Sequence, residues 1–209
     1  MPFWIAEGGE SGSCAGSRIV KAMHFYSRDL FSGCEHFSRL SASFNNDPDI
    51  RMANSAVIFF GVSAIEARIN EGIAASIALE EDQGGAWSEL EKKHRRSPLR
   101  EKWNAVSEIR GGGRWSAGRQ PFQSFVTVCS LRNELIHYKG EMLGKDEAPN
   151  KSISHLMKKL GVSSSSAFME DDCSSWVSDL LSSPSLGPWV FESVSSLWNS
   201  MYDLLHEKQ

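Results

Sequence analysis

The stretch Ala56-Val57-Ile58-Phe59-Phe60-Gly61-Val62-Ser63-Ala64-Ile65-Glu66-Ala67-Arg68-Ile69-Asn70 decides the fold class. Its apolar residues do not alternate as a half-buried strand requires. Together with Met52, Ile73 and Ile77 they recur at helical spacing instead. The pattern predicts one helix from about Pro48 to Leu79, apolar on well over half its circumference, with Glu66 and Asn70 set inside that pattern. A helix so apolar has to be covered on several sides, which places it at the centre of a bundle. Its longest apolar run, Ala56 to Ile65, is interrupted by Gly61 and Ser63 and is half the length that crosses a bilayer.

Outward from this helix the same period continues. From Ser17 to Phe44 the apolar residues Ile19, Val20, Met23, Leu30, Phe37 and Leu40 keep helical spacing, with Gly33 as the place where the segment would divide. Asn45-Asn46-Asp47-Pro48 closes it, since Asn and Asp tolerate turns and Pro suits a first helical turn. Gln83-Gly84-Gly85 ends the central helix, a charged helix broken at Ser97-Pro98 follows, and Gly111-Gly112-Gly113 is a break. Gln120-Pro121 opens a helix running to Lys139, with Gly140 as its stop. Ser152–Leu160 and Ser174–Leu181 read as short helices around a polar loop (Ser163–Ser166, Glu170–Asp172), and Pro188 begins a final amphipathic helix. There is no internal repeat and no run that reads as a strand. The expected class is all-α: a loose arm over 1–14 and one helical domain over 15–209.

An apolar fraction of 41% and a charged fraction of 23% are ordinary for a folded domain, so wholesale disorder is not expected. The four cysteines, Cys14, Cys34, Cys129 and Cys173, are far apart and form no Cys-x-x-Cys pair, which argues against a zinc site and a disulfide framework. Cys34 and Cys129 fall in helical patterns and read as small buried residues. The first ten residues lack a basic region followed by an apolar one, so a cytoplasmic protein without a membrane partner is expected. The net charge of −4 disfavours a broad basic face for gripping nucleic acid, and any RNA chemistry would need a local basic pocket. Gly111-Gly112-Gly113 precedes Arg114-Trp115 rather than a Lys-Ser helix start, and Gly-x-Ser-x-Gly is absent, so nucleotide-loop and serine-hydrolase readings lack support.

On the helix from Phe122 to Lys139, Phe122, Phe125, Val126, Cys129 and Ile136 form one apolar stripe at about 100° per residue. Asn133 and His137, four apart, share one border of it, and Arg132 lies on the other, about 140° from His137. Arg132 and His137 of one helix therefore diverge. A two-fold axis that places this helix against its own copy would gather two Arg, two Asn and two His in one cleft.

Arg132-Asn133-Glu134-Leu135-Ile136-His137, with Tyr138 after it, resembles the Arg-x-x-x-x-His motif of the HEPN superfamily, whose members are small helical bundles, many of them metal-independent endoribonucleases of toxin–antitoxin and phage-defence systems. Ser63-Ala64-Ile65-Glu66-Ala67-Arg68-Ile69-Asn70 resembles the family's preceding core helix, which often carries a similarly placed acid. The likeness covers about 50–140 and extends to the final helix, with extra helices over 152–206; the arm and the Ser-rich segment lie outside it. It implies an up-and-down helical bundle of HEPN type with additional helices, a homodimer, an RNA substrate, an antitoxin or regulatory protein as partner, and neither cofactor nor metal. It also implies Arg132, Asn133 and His137 as the catalytic residues, with Tyr138 and Lys139 near the substrate and Glu66 and Asn70 behind the site.

The chemistry so implied is attack of a ribose 2′-hydroxyl on the adjacent phosphate. Imidazole titrates near neutrality and moves the proton, a planar guanidinium matches the phosphate oxygens, and Asn133 holds the ring or an oxygen. Plainer readings stand beside these. Arg132 can be a surface ion-pair partner, His137 an interface histidine, Glu66 a structural acid bonding a neighbouring helix or an Arg, and Tyr138 a packing residue. Lys92-Lys93-His94-Arg95-Arg96 either tracks RNA backbone or is a solvated helix end. The seven tryptophans read as core or interface residues rather than as base platforms. A non-catalytic dimerisation or partner-binding module of the same shape is the alternative function.

Overall fold

Residues 23–79, 85–137, 149–163 and 175–206 are described by the computed structural model. They form helices α1 (Ser27–Ser43), α2 (Asp47–Leu79), α3 (Ala86–His94), α4 (Leu99–Arg110), α5 (Phe122–Ile136), α6 (Lys151–Leu160), α7 (Trp176–Leu181) and α8 (Leu186–His206), with no strand among the described residues. The all-α expectation holds. The arm over 1–14, Tyr138, Lys139, Gly140, Cys14, Cys173 and the polar loop (Ser163–Ser166, Glu170–Asp172) except Ser163 lie outside the described residues.

α2 is the axis. By length and composition its 33 residues would suffice to cross a membrane. In this fold α1, α3, α4, α5, α7 and α8 all pack against it. Ala53, Val57, Ile58, Val62, Ala64, Ile65 and Ile69 are at most 2% exposed, so its apolar sides are spent on neighbouring helices. One line is left uncovered. Met52, Phe59, Ser63, Glu66 and Asn70 are exposed, which corrects the expectation that Glu66 and Asn70 sit within the apolar face. With steps of three, four and seven residues they run along a single edge.

Which helices run which way follows from what touches what. α1 is antiparallel to α2: Ser27 meets Glu71 at one end, and Cys34 Sγ donates to the Val57 carbonyl at 3.5 Å further along. α8 is parallel to α2, since a Cβ on Gly61 would lie 2.7 Å from Val194 and one on Gly187 would lie 2.8 Å from Asn54 Oδ1. No real Cβ tolerates such distances, so α2 and α8 approach this closely only because both positions are glycine. Gly33 serves the α1–α2 contact likewise, with the Phe60 ring 2.9 Å from where its Cβ would be. That contact, rather than a break, is its role: α1 runs unbroken through Gly33.

Of the helical segment expected from Ser17, residues 17–22 lie outside the described residues, and Met23–Tyr26 are not helical, so α1 begins at Ser27. Glu71 of α2 sets the boundary. Its carboxylate accepts from the Ser27 backbone N–H at 2.8 Å and from the Ser27 hydroxyl at 2.5 Å, so an acid from another helix caps this one. One turn earlier, Arg68 is 7% exposed and lies over the Trp198 ring of α8 at 5.2 Å. Burial is the main cause holding its pKa below the usual arginine value; Arg28 adds to that, and Glu71 and Tyr202 oppose it.

A buried amide closes the far end of the α2–α8 contact. Asn54, fully buried, donates through Nδ2 to the carbonyls of Leu181 at 2.7 Å and Ser183 at 2.8 Å, clamping the α7–α8 turn. A buried carbonyl stripped of its donor costs roughly 1–3 kcal/mol. Asn54→Ala, which strips two, is expected to lower unfolding free energy by about 2–4 kcal/mol in urea titrations. A loss under about 0.5 kcal/mol, the scale of an ordinary surface change, would remove the clamp from this account.

Candidate functional site

α5 starts after Pro121 and is anchored by aromatic packing. Trp115 and Phe122 have ring centroids 4.4 Å apart, and Trp103 of α4 stands edge-on to Phe122 at 5.0 Å. The preceding linker is fixed to α4: the Trp103 indole N–H donates to the Gly113 carbonyl at 2.9 Å, and the Trp115 backbone N–H donates to Asn104 at 2.8 Å. Trp87, Trp103, Trp115 and Trp189 are buried, and Trp176 and Trp198 pack against the core. None of these six is presented as an open stacking platform.

The buried line of α5 is Phe122, Phe125, Val128 and Leu131, with Thr127 beside it. Steps of three residues turn back by about 60° each, so the line drifts around the helix toward its C-terminus. Ile136, expected in the apolar stripe, is thereby left 51% exposed. The same drift carries Arg132 toward α2. Its guanidinium Nη2 donates to Glu66 Oε1 at 3.2 Å, with the two side chains 28% and 48% exposed. Arg132 Nε is enclosed and has no hydrogen-bond partner among the described residues. A half-exposed ion pair of this kind contributes about 0–1 kcal/mol, so Glu66 orients Arg132 more than it holds the fold together.

Asn133 and His137 are exposed on the neighbouring side of α5. Regular helix ends at Ile136, not at Lys139. His137 has ψ 17°, which leaves the helical region, yet its N–H still donates to the Asn133 carbonyl at 2.9 Å. The imidazole therefore stands at the helix end within one turn of Asn133. Among the described residues Arg132 and Glu66 are brought together, while no bond joins His137 to Arg132, in keeping with their divergence around the helix. Asn70 accepts from Lys102 Nζ of α4 at 2.7 Å. Lys102 was missed by sequence reasoning because the pairing joins positions 32 apart with the whole of α3 between them; only its place in a densely basic stretch could have drawn attention to it.

Cys129 lies one turn before Arg132 on α5. Burial chiefly, with help from Glu66, pushes its thiol up to about 12, and Arg132 pulls the other way. An apolar hollow between α2, α5 and α7, lined by Ile58, Leu131, Leu135, Trp176, Val177 and Leu180, includes none of Arg132, Asn133 and His137. No three His, Cys, Asp or Glu side chains among the described residues gather as a metal-binding set. No protein-family model, curated protein or solved structure matches this chain.

The thiol reports on the Arg132–Glu66 pair. Its thiolate is unavailable at pH 9, where an ordinary cysteine is largely ionised. Alkylation of Cys129, followed residue by residue by mass spectrometry at that pH, is expected to be slow. It should quicken severalfold in Glu66→Gln, which removes a repelling carboxylate, and slow further in Arg132→Gln. Equal rates in all three proteins would mean that the pair does not reach the thiol.

Proposed function

We propose that this chain is a HEPN-type endoribonuclease acting as a homodimer, with Arg132, Asn133 and His137 of each copy meeting across a two-fold axis. The observation that carries the proposal is the placing of Arg132. It is drawn to the α2–α5 border with enclosed and partly unspent donors, while Asn133 and His137 remain exposed one helix face away. One copy presents the two halves of a phosphate-cleaving set on diverging directions, and a second copy related by two-fold symmetry supplies the missing half to each.

The surface beside the motif suits such a partner. Ile136 lies one turn beyond Arg132 on the same side of α5. Phe59, 39% exposed, lies two turns before Glu66 on α2, and Met52, 63% exposed, two turns before that. Because α5 runs antiparallel to α2, Ile136 and Phe59 fall at the same end of this edge. Exposed apolar residues that recur along one edge mark a surface for association more than for solvent.

In the proposed reaction His137 takes the 2′-hydroxyl proton or returns one to the leaving oxygen, and Arg132 faces the phosphate oxygens as negative charge grows. Asn133 hydrogen-bonds the imidazole or an oxygen. A toxin or phage-defence effector, restrained by an antitoxin or regulatory protein in the cytoplasm, is the biological setting that goes with this activity. The Arg132–Glu66 pair favours a second reading, in which the arginine is a structural ion-pair partner and the chain is a non-catalytic dimerisation or partner-binding module.

Purified protein incubated with RNA separates the two. The first reading expects 2′,3′-cyclic phosphate ends, no cutting of DNA or of 2′-O-methyl RNA, and a loss of roughly 10²–10⁴ in rate for His137→Ala. Uncut RNA, or cutting that persists unchanged in His137→Ala and Arg132→Ala, would sink it and leave the module.

A further inference from the structure

Charge is unevenly spread along this chain. Residues 92–132 hold ten of its 22 lysines and arginines and only two acids, Glu101 and Glu108, a formal +8 within a net −4 that leaves −12 on all other residues. The densest part is the turn between α3 and α4. Lys92 and Lys93 end α3, Arg95 and Arg96 lie in the turn itself, and Arg100 and Lys102 occupy the first turn of α4. Two of these are already neutralised: Lys92 pairs with Glu89 at 2.8 Å and Arg95 with Glu91 at 3.5 Å. Lys93, Arg96 and Arg100 are exposed and form no ion pair among the described residues.

Packing brings this turn to the edge that holds Arg132. α4 rises alongside α2, from Lys102 on Asn70 at its start to Arg110 on Ser76 at its end, the latter at 3.5 Å. Asn70 is one turn from Glu66 on the exposed line of α2. Glu66 and Asn70, with Cβ atoms about 5–6 Å apart on successive turns of α2, therefore meet a cation from α5 and a cation from α4 respectively. The segment from Arg95 to Pro98 comes immediately before Lys102, so the unpaired cations lie at the Arg132 end of α4 and not at the Gly111 end.

We propose that Lys93, Arg96 and Arg100, continued by Lys102, form a track for the phosphate backbone of single-stranded RNA leading to Arg132. The proposal rests on the RNA reading above and adds where the strand lies. Three cations set around one turn, without an ion pair among the described residues, repel one another and favour an anionic partner. No large apolar side chain is exposed between Ala86 and Lys102, so the anchors typical of a protein interface are missing there. With the tryptophans buried, recognition through backbone charge rather than base stacking is expected, and it should be salt-dependent and tolerant of sequence.

The test is binding of a labelled 2′-O-methyl oligouridylate, which cannot be cut, followed by fluorescence anisotropy across a salt series. The Lys93→Gln/Arg96→Gln/Arg100→Gln variant is expected to lose on the order of 10- to 100-fold in affinity near 0.1 M salt. The slope of log K against log salt should become shallower by about 2, three contacts at about 0.7 each. A control variant, Arg39→Gln/Lys151→Gln/Lys158→Gln, removes as much charge from other exposed sites and is expected to bind as wild type does. Equal binding by wild type and the first variant, an equal loss in the control, or tighter capture of polyglutamate than of the oligomer each overturns the track. His137→Ala separates this from the nuclease reading. Track-dependent binding without any cleavage by wild type keeps the track and removes the enzyme, whereas cleavage with track-independent binding does the reverse.

Discussion

The fold depends on how closely α2 and α8 can lie side by side. Parallel helices pressed together at Gly61 and Gly187 leave no room for a methyl group, and Val194, Ser41 and Asn54 fill the space a side chain would take. That contact fixes the roll of α2 about its own axis. Rolling α2 would swing the line Met52–Phe59–Glu66–Asn70 out of reach of Arg132 and Lys102, so a steric fact in the core sets the geometry of an exposed edge. Asn54 then ties the α7–α8 turn to the same helix, which fixes where α8 begins relative to α2.

Polar groups do the rest of the alignment at the opposite end. Glu71 caps α1, and Arg68, one turn away, lies over Trp198 of α8, so two side chains of α2 hold two different helices in register. These groups are expensive to bury alone and acceptable only together, because each carboxylate or guanidinium meets a donor, an acceptor or a ring. They specify which helices meet more than they add to stability.

Much of this was legible in the sequence, and the misses share a cause. Helical spacing located α2, α6 and α8 to within a few residues, and the glycines after Arg110 marked the end of α4 because Gly111 takes φ +75° there. Periodicity tells which residues are apolar but not which side a neighbour covers; hence Ile136, Met52 and Phe59, read as core-facing, are exposed. The start of α1 was invisible for a related reason, since its cap is a carboxylate 44 residues away. The partners of Arg132 and Asn70 are equally remote, and no local rule pairs position 132 with 66 or 70 with 102.

Arg132 is where these constraints meet the proposed chemistry. A phosphate approaching it faces Glu66, a carboxylate of the same sign, so binding there requires that the local excess of positive charge outweigh one acid. The chain as a whole, at −4, does not supply that excess; the segment from 92 to 132, at +8, does, and α4 delivers Lys102 within one turn of Glu66. At moderate salt, charges act over about 10 Å, which makes the sign of the neighbouring helices count and that of the distant acidic surface count little. Net charge is thus the wrong measure for this site. Glu66 can aim the guanidinium and still yield to an anion, provided the cations of α4 lie close enough to lower the local cost.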